Sequence, residues 1–127
     1  MLKETAEWLK QAKYDLDTAQ AMFESHRYIY TVFMCHLAVE KTIKALFVER
    51  TGEAPPKTHN LIYLLSKTQP VLPEMQIKFI ARLNFAAVTT RYPDDLARAL
   101  QDYPPKIAKE YLDSTKEVIR CIKQQMT

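Results

Sequence analysis

The 127-residue sequence contains a single glycine, Gly52. A chain this poor in glycine can hardly make tight hairpin turns or sheet bulges. It also has no glycine-rich phosphate loop, which excludes P-loop and dinucleotide-fold readings. Cysteine is scarce too: Cys35 and Cys121 form no CxxC pair and no Cys/His cluster at zinc spacing. Neither a metal nor a cofactor is therefore expected, and both thiols read as small buried hydrophobes on apolar helix faces. No run approaches the roughly 18 apolar residues that a membrane span requires. The N-terminal "MLKETAEWLKQAKYD" is charged from its third residue, unlike a signal peptide. The expectation is a cytoplasmic protein with no membrane contact.

What is present points to helices. Apolar residues make up 47% and charged residues 26%, enough for one all-α domain over residues 1–127 with a substantial core. The net charge of +3 permits an acidic partner such as RNA or a nucleotide without demanding one. Lys106, Lys109, Lys116, Arg120 and Lys123 cluster near the C-terminus, but Glu110, Asp113 and Glu117 interleave with them as on a solvated helix face.

Apolar periodicity predicts a first helix over Lys3–Glu24, with Leu9, Ala12, Leu16, Ala19 and Phe23 on one stripe. A short connection, "ESHRY", leads to a second helix from about Arg27 to Thr51, which Gly52 stops. Val32, Cys35, Val39, Ile43 and Leu46 form one face of it, and apolar residues occupy most other sides, so this helix is expected at the centre. Pro55 and Pro56 enforce a loop, with Thr58 or Asn60 available to cap a short third helix over His59–Ser66. A fourth helix is expected over Leu72–Thr89, with Ile77, Ile80, Leu83 and Ala87 inward and Pro73 in its first turn. The segment "TTRYPDDLARALQDYPP" reads mostly as an ordered loop, and a last helix begins near Pro105. The fold expected is an up-and-down bundle of four to five helices.

Within the apolar second helix, His36, Glu40 and Lys44 recur every four residues and span about 80° of the helix wheel. A Glu placed four residues before a Lys contributes roughly 0.2–0.5 kcal/mol when exposed. That is too little to account for three polar groups here, and a buried, unpaired Glu40 would cost far more. The ladder is therefore expected to face water, a partner protein or a ligand.

The stretches "WLKQAKYDLDTAQAMF", "YIYTVFMCHLAVEKTIKALF", "PPKTHNLIYLL" and "TTRYPDD", in this order and spacing, resemble the HEPN domain family (higher eukaryote and prokaryote nucleotide-binding) over nearly the whole chain. The resemblance implies a helical bundle that forms homodimers through the region of the second helix. Glu40, Lys41 and Lys44 match the family's "EKxxK" positions near the shared groove. It further implies a module that binds nucleotide or RNA or works with a nucleotidyltransferase partner, as in toxin–antitoxin pairs. The alternative is a metal-independent ribonuclease toxin. Nuclease members are similar to one another in an Arg followed four to six positions later by a His. Here no histidine follows Arg91 of the "RYP" site. Arg91 can grip phosphate, and His59 is then the candidate base for RNA cleavage. His36, Glu40, Lys41, Lys44, Tyr92 and Asp94 are the candidate groove residues. Tyr92 offers a face for base stacking, and Asp94 is a neighbour for Arg91 to pair with.

Overall fold

The second helix, α2 (Tyr28–Thr51), is the post around which the other elements pack in the computed structural model, which describes residues 1–126. Its predicted inner face is completely buried at Val32, Cys35, Val39, Ile43 and Leu46. It ends where expected: Gly52 takes the left-handed conformation (φ 71°), and its N–H returns to the carbonyl of Val48. Before α2 runs α1 (Lys3–Glu24), at the predicted bounds, with Ala12 and Ala19 buried on its stripe. A turn through Ser25–Arg27, with His26 at φ 62°, joins the two.

After the proline loop come α3 (Leu61–Thr68), α4 (Glu74–Arg91), α5 (Leu96–Asp102) and α6 (Pro105–Lys123). Asn60 caps α3, its side-chain oxygen accepting from the N–H groups of Ile62 and Tyr63. The far end of α3 is closed by the Arg50 guanidinium, which donates to the Thr68 carbonyl. The fold is all-α, as expected, but six helices rather than four or five occur among the described residues.

The additional helix is α5, in the stretch expected to be mostly loop. Asp95 caps it by accepting from the Arg98 N–H, and Leu-Ala-Arg-Ala-Leu-Gln favours helix between Pro93 and Pro104. Two smaller expectations also change. Ile77 is 43% exposed, because Phe79, Ile80, Leu83, Ala86, Ala87 and Thr90 form the buried stripe of α4 and turn it outward. Cys121 is half-buried, whereas Cys35 is fully enclosed. No helix among the described residues is long and apolar enough to cross a membrane.

Candidate functional site

The polar ladder does not face outward. His36, Glu40 and Lys44 are 1%, 3% and 7% exposed, so the expectation that they meet water, a partner or a ligand is corrected for all but the edge of His36. They are buried because the fold supplies partners for them. Lys44 Nζ donates to Glu40 Oε2 at 3.0 Å, and its ammonium lies 5.7 Å from the centre of the Trp8 ring on α1. The other carboxylate oxygen, Oε1, accepts from His59 Nδ1 at 2.9 Å. Paired and hydrogen-bonded on both oxygens, Glu40 can remain charged inside the bundle.

His59 is delivered by the loop containing Pro55 and Pro56, one residue before the Asn60 cap. Its ring is held by a carboxylate, while its own backbone carbonyl contacts His36 Nε2 at 2.9 Å. Carboxylate and carbonyl oxygens only accept, which assigns the protons. His36 carries its hydrogen on Nε2, and His59 carries one on Nδ1. In neutral His59 the Nε2 atom is then a free lone pair on a side chain that is 63% exposed.

These groups border a cleft of about 290 Å³ between the start of α3 and the end of α4. His36, His59, Asn60, Asn84, Arg91 and Tyr92 line it, with Ala87 and Val88 supplying apolar wall. Both candidate catalytic residues, His59 and Arg91, therefore share one cavity despite lying far apart in sequence. Arg91 is half-buried and stacks on Phe33 of α2, its guanidinium carbon 4.8 Å from the ring centre. That contact replaces the expected pairing with Asp94, which lines a neighbouring groove along α4 and α5 instead. Tyr92 is 73% exposed at the boundary of both cavities. Lys41 does not join the cleft; it pairs with the buried Asp15 of α1 at 2.8 Å.

Among the described residues Arg91 is the only formally charged residue lining the cleft, and the Glu40 charge behind it is already matched by Lys44. Burial lowers the affinity of His36 for a proton; Arg91 and His59 act in the same direction, against Glu40 and the His59 carbonyl. His36 is accordingly neutral at pH 7, with Nδ1 buried, unpartnered and 3.9 Å from Glu40 Oε1. Among the described residues no group of three or more His, Cys, Asp or Glu side chains is arranged to hold a metal ion.

Asn84 escaped the reading of the sequence. Its Oδ1 accepts from the Leu61 N–H at 2.8 Å, and its amide reaches Asn60 Oδ1 at 3.4 Å, tying α4 to the first turn of α3. The available signal was an amide placed within the apolar run "ARLNFAAV".

The family model described as HEPN domain matches residues 5–125. The crystal structure of TT1696 from Thermus thermophilus superposes with a TM-score of 0.85 at 24% identity, covering 97% of this chain and 98% of that one. ST0689, an archaeal HEPN homologue, superposes with a TM-score of 0.73 at 20% identity, over 99% and 100% of the two chains. No curated protein matches. These two likenesses establish the fold, and the match across nearly the full length establishes kinship: the chain belongs to the HEPN domain family.

Proposed function

We propose that this chain is a nucleotide- or RNA-binding module whose ligand places a phosphate against Arg91 in the cleft. The observation that carries the reading is the position of Arg91. Its guanidinium is braced on Phe33, uncommitted to any carboxylate among the described residues, and opens onto a cavity without acidic lining. A planar, permanently charged guanidinium suits bidentate phosphate contacts. Asn60 and Asn84 offer amides for base or sugar edges, and Tyr92 offers an exposed ring for stacking. The test is fluorescence anisotropy with short labelled RNA and with nucleotides at several salt concentrations. Arg91→Ala should weaken binding about tenfold or more, the scale of one charge-assisted contact. Equal affinity of the two proteins would remove the basis for the reading.

A second reading, metal-independent RNA cleavage, is favoured by one specific observation: Glu40 holds His59 with Nε2 free. In that reaction His59 Nε2 takes the proton of a 2′-hydroxyl, and the 2′-oxygen attacks the adjacent phosphorus. The P–O5′ bond breaks, and the imidazolium returns the proton to the leaving 5′-oxygen. Arg91 neutralises charge developing on the phosphate. Cleavage without added metal that disappears in His59→Ala, while binding persists, would establish it.

The same proposal includes partners. A second copy is supported by Phe85, Val88, Tyr92, Leu96 and Leu100, each more than half exposed along α4 and α5. The region of α2 expected to pair stays part of the same proposal, with Phe33 and Leu37 half-buried and Tyr30 55% exposed. A nucleotidyltransferase partner, as in a toxin–antitoxin pair, rests on the family resemblance and is tested by co-purification.

A further inference from the structure

We infer that an anion bound beside Arg91 draws a proton onto the buried His36, making ligand binding at this cleft proton-linked. The inference rests on the reading of the cleft as a phosphate site and concerns how that site is regulated. His36 is built as a waiting proton acceptor. Its Nε2–H is committed to the His59 carbonyl at 2.9 Å, which fixes the ring. Its Nδ1 is buried without a partner, and 3.9 Å away stands Glu40 Oε1. In the neutral ring neither atom can donate across that gap. A proton on Nδ1 gives the ring a charge and a donor beside a carboxylate, and a shorter separation then makes a charge-assisted hydrogen bond.

The charged and titratable groups facing His36 are few. Glu40 lies on its own helix with Lys44 on the opposite oxygen, His59 precedes α3, and Arg91 ends α4. Burial is the main reason that His36 stays neutral, and Arg91 and His59 add to it, while Glu40 pulls the other way. An anion on Arg91 cancels one of the opposing charges and lowers the cost of the proton. By reciprocity, the protonated site then holds the anion more tightly than the neutral one. Arg91 keeps its charge throughout, so His59 is the other cleft group able to take up a proton.

The test uses calorimetry with a deoxythymidine dinucleotide, whose phosphodiester does not titrate in the range studied and which lacks the 2′-hydroxyl needed for cleavage. Binding heats in buffers of different ionisation enthalpy report proton uptake directly. The wild type should take up as much as one proton. Its affinity should rise up to about tenfold per pH unit as pH falls between the midpoints of His36 with and without ligand. His36→Gln keeps a donor for the His59 carbonyl but cannot be protonated, and should bind with this uptake lost. His59→Asn, which keeps a donor for Glu40, should retain it. Uptake unchanged in His36→Gln, or lost only in His59→Asn, would overturn the inference. A dinucleotide that does not bind, together with RNA and nucleotides that do not bind either, would instead refute the phosphate reading. The coupling is then decided without ligand: by NMR, Arg91→Met must raise the protonation midpoint of His36, and an unmoved midpoint sinks it.

Discussion

Glu40 and His59 are 19 residues apart, yet one oxygen of the buried carboxylate receives the Nδ1–H of the imidazole at 2.9 Å. The other oxygen receives Lys44, so a buried Glu–Lys pair and a largely exposed imidazole from another segment meet at one carboxylate. Such an arrangement is stable only when complete.

Removing the carboxylate should therefore be expensive. Glu40→Ala leaves the Lys44 ammonium buried without a counter-charge, and breaking a buried pair from one side costs about 3–5 kcal/mol. The double variant Glu40→Gln, Lys44→Met removes both charges and should recover much of that loss. Urea denaturation monitored by circular dichroism measures both. A loss below about 1 kcal/mol for the single variant would contradict the enclosure described.

The cap on α3 is a second point of leverage, because it positions His59 as well as the helix. Asn60 Oδ1 accepts from two backbone N–H groups and touches the Asn84 amide. Asn60→Ala should cost about 0.5–2 kcal/mol of stability, whereas Asn60→Asp, which keeps the acceptor, should cost less. The same denaturation midpoints decide it, and equal losses in the two variants would argue against the cap.

How far the sequence anticipates this arrangement depends on range. The bounds of α1, the stop at Gly52 and the inner face of α2 follow from periodicity and turn chemistry, which are local. The α5 helix is hard to see because it is only seven residues long and set between Pro93 and Pro104, though Asp95 before "LARALQ" carries a cap signal. The ladder is the instructive case. The wheel places His36, Glu40 and Lys44 on one side, but self-pairing alone does not permit their burial. What allows it is His59, brought over by a loop, and Trp8 from α1, and neither contact is encoded in the spacing of α2. Likewise, the shared cleft of His59 and Arg91 depends on how α3 and α4 pack, a long-range outcome.

The two cysteines should behave differently. Burial pushes the Cys35 thiol up to about 12, with the neighbouring Thr115 hydroxyl and the Lys116 charge only partly opposing the shift. Thiolate is the reactive form, so Cys35 should resist a disulfide reagent at pH 8 in the folded protein. Half-buried Cys121 should react at least partly under native conditions, and both should react in denaturant. Counting thiols released before and after unfolding checks this, and two fast native thiols would refute the enclosure of Cys35.

Stability should also fall in mild acid through His36. Its folded-state affinity for protons lies below the ordinary imidazole value of 6.5, chiefly from burial. A depressed folded value means that the unfolded chain binds the proton more readily, so acid favours unfolding. The contribution is fully present above about pH 6.5, declines as pH drops below it, and levels off once the folded protein is protonated too. His36→Gln preserves the contact with the His59 carbonyl and lacks the titration, so its stability curve should be flatter between pH 7 and pH 5. Denaturation midpoints across that range for both proteins measure the difference. Parallel curves would mean that His36 is protonated as easily inside the bundle as in the unfolded chain, contrary to its unpartnered, enclosed Nδ1.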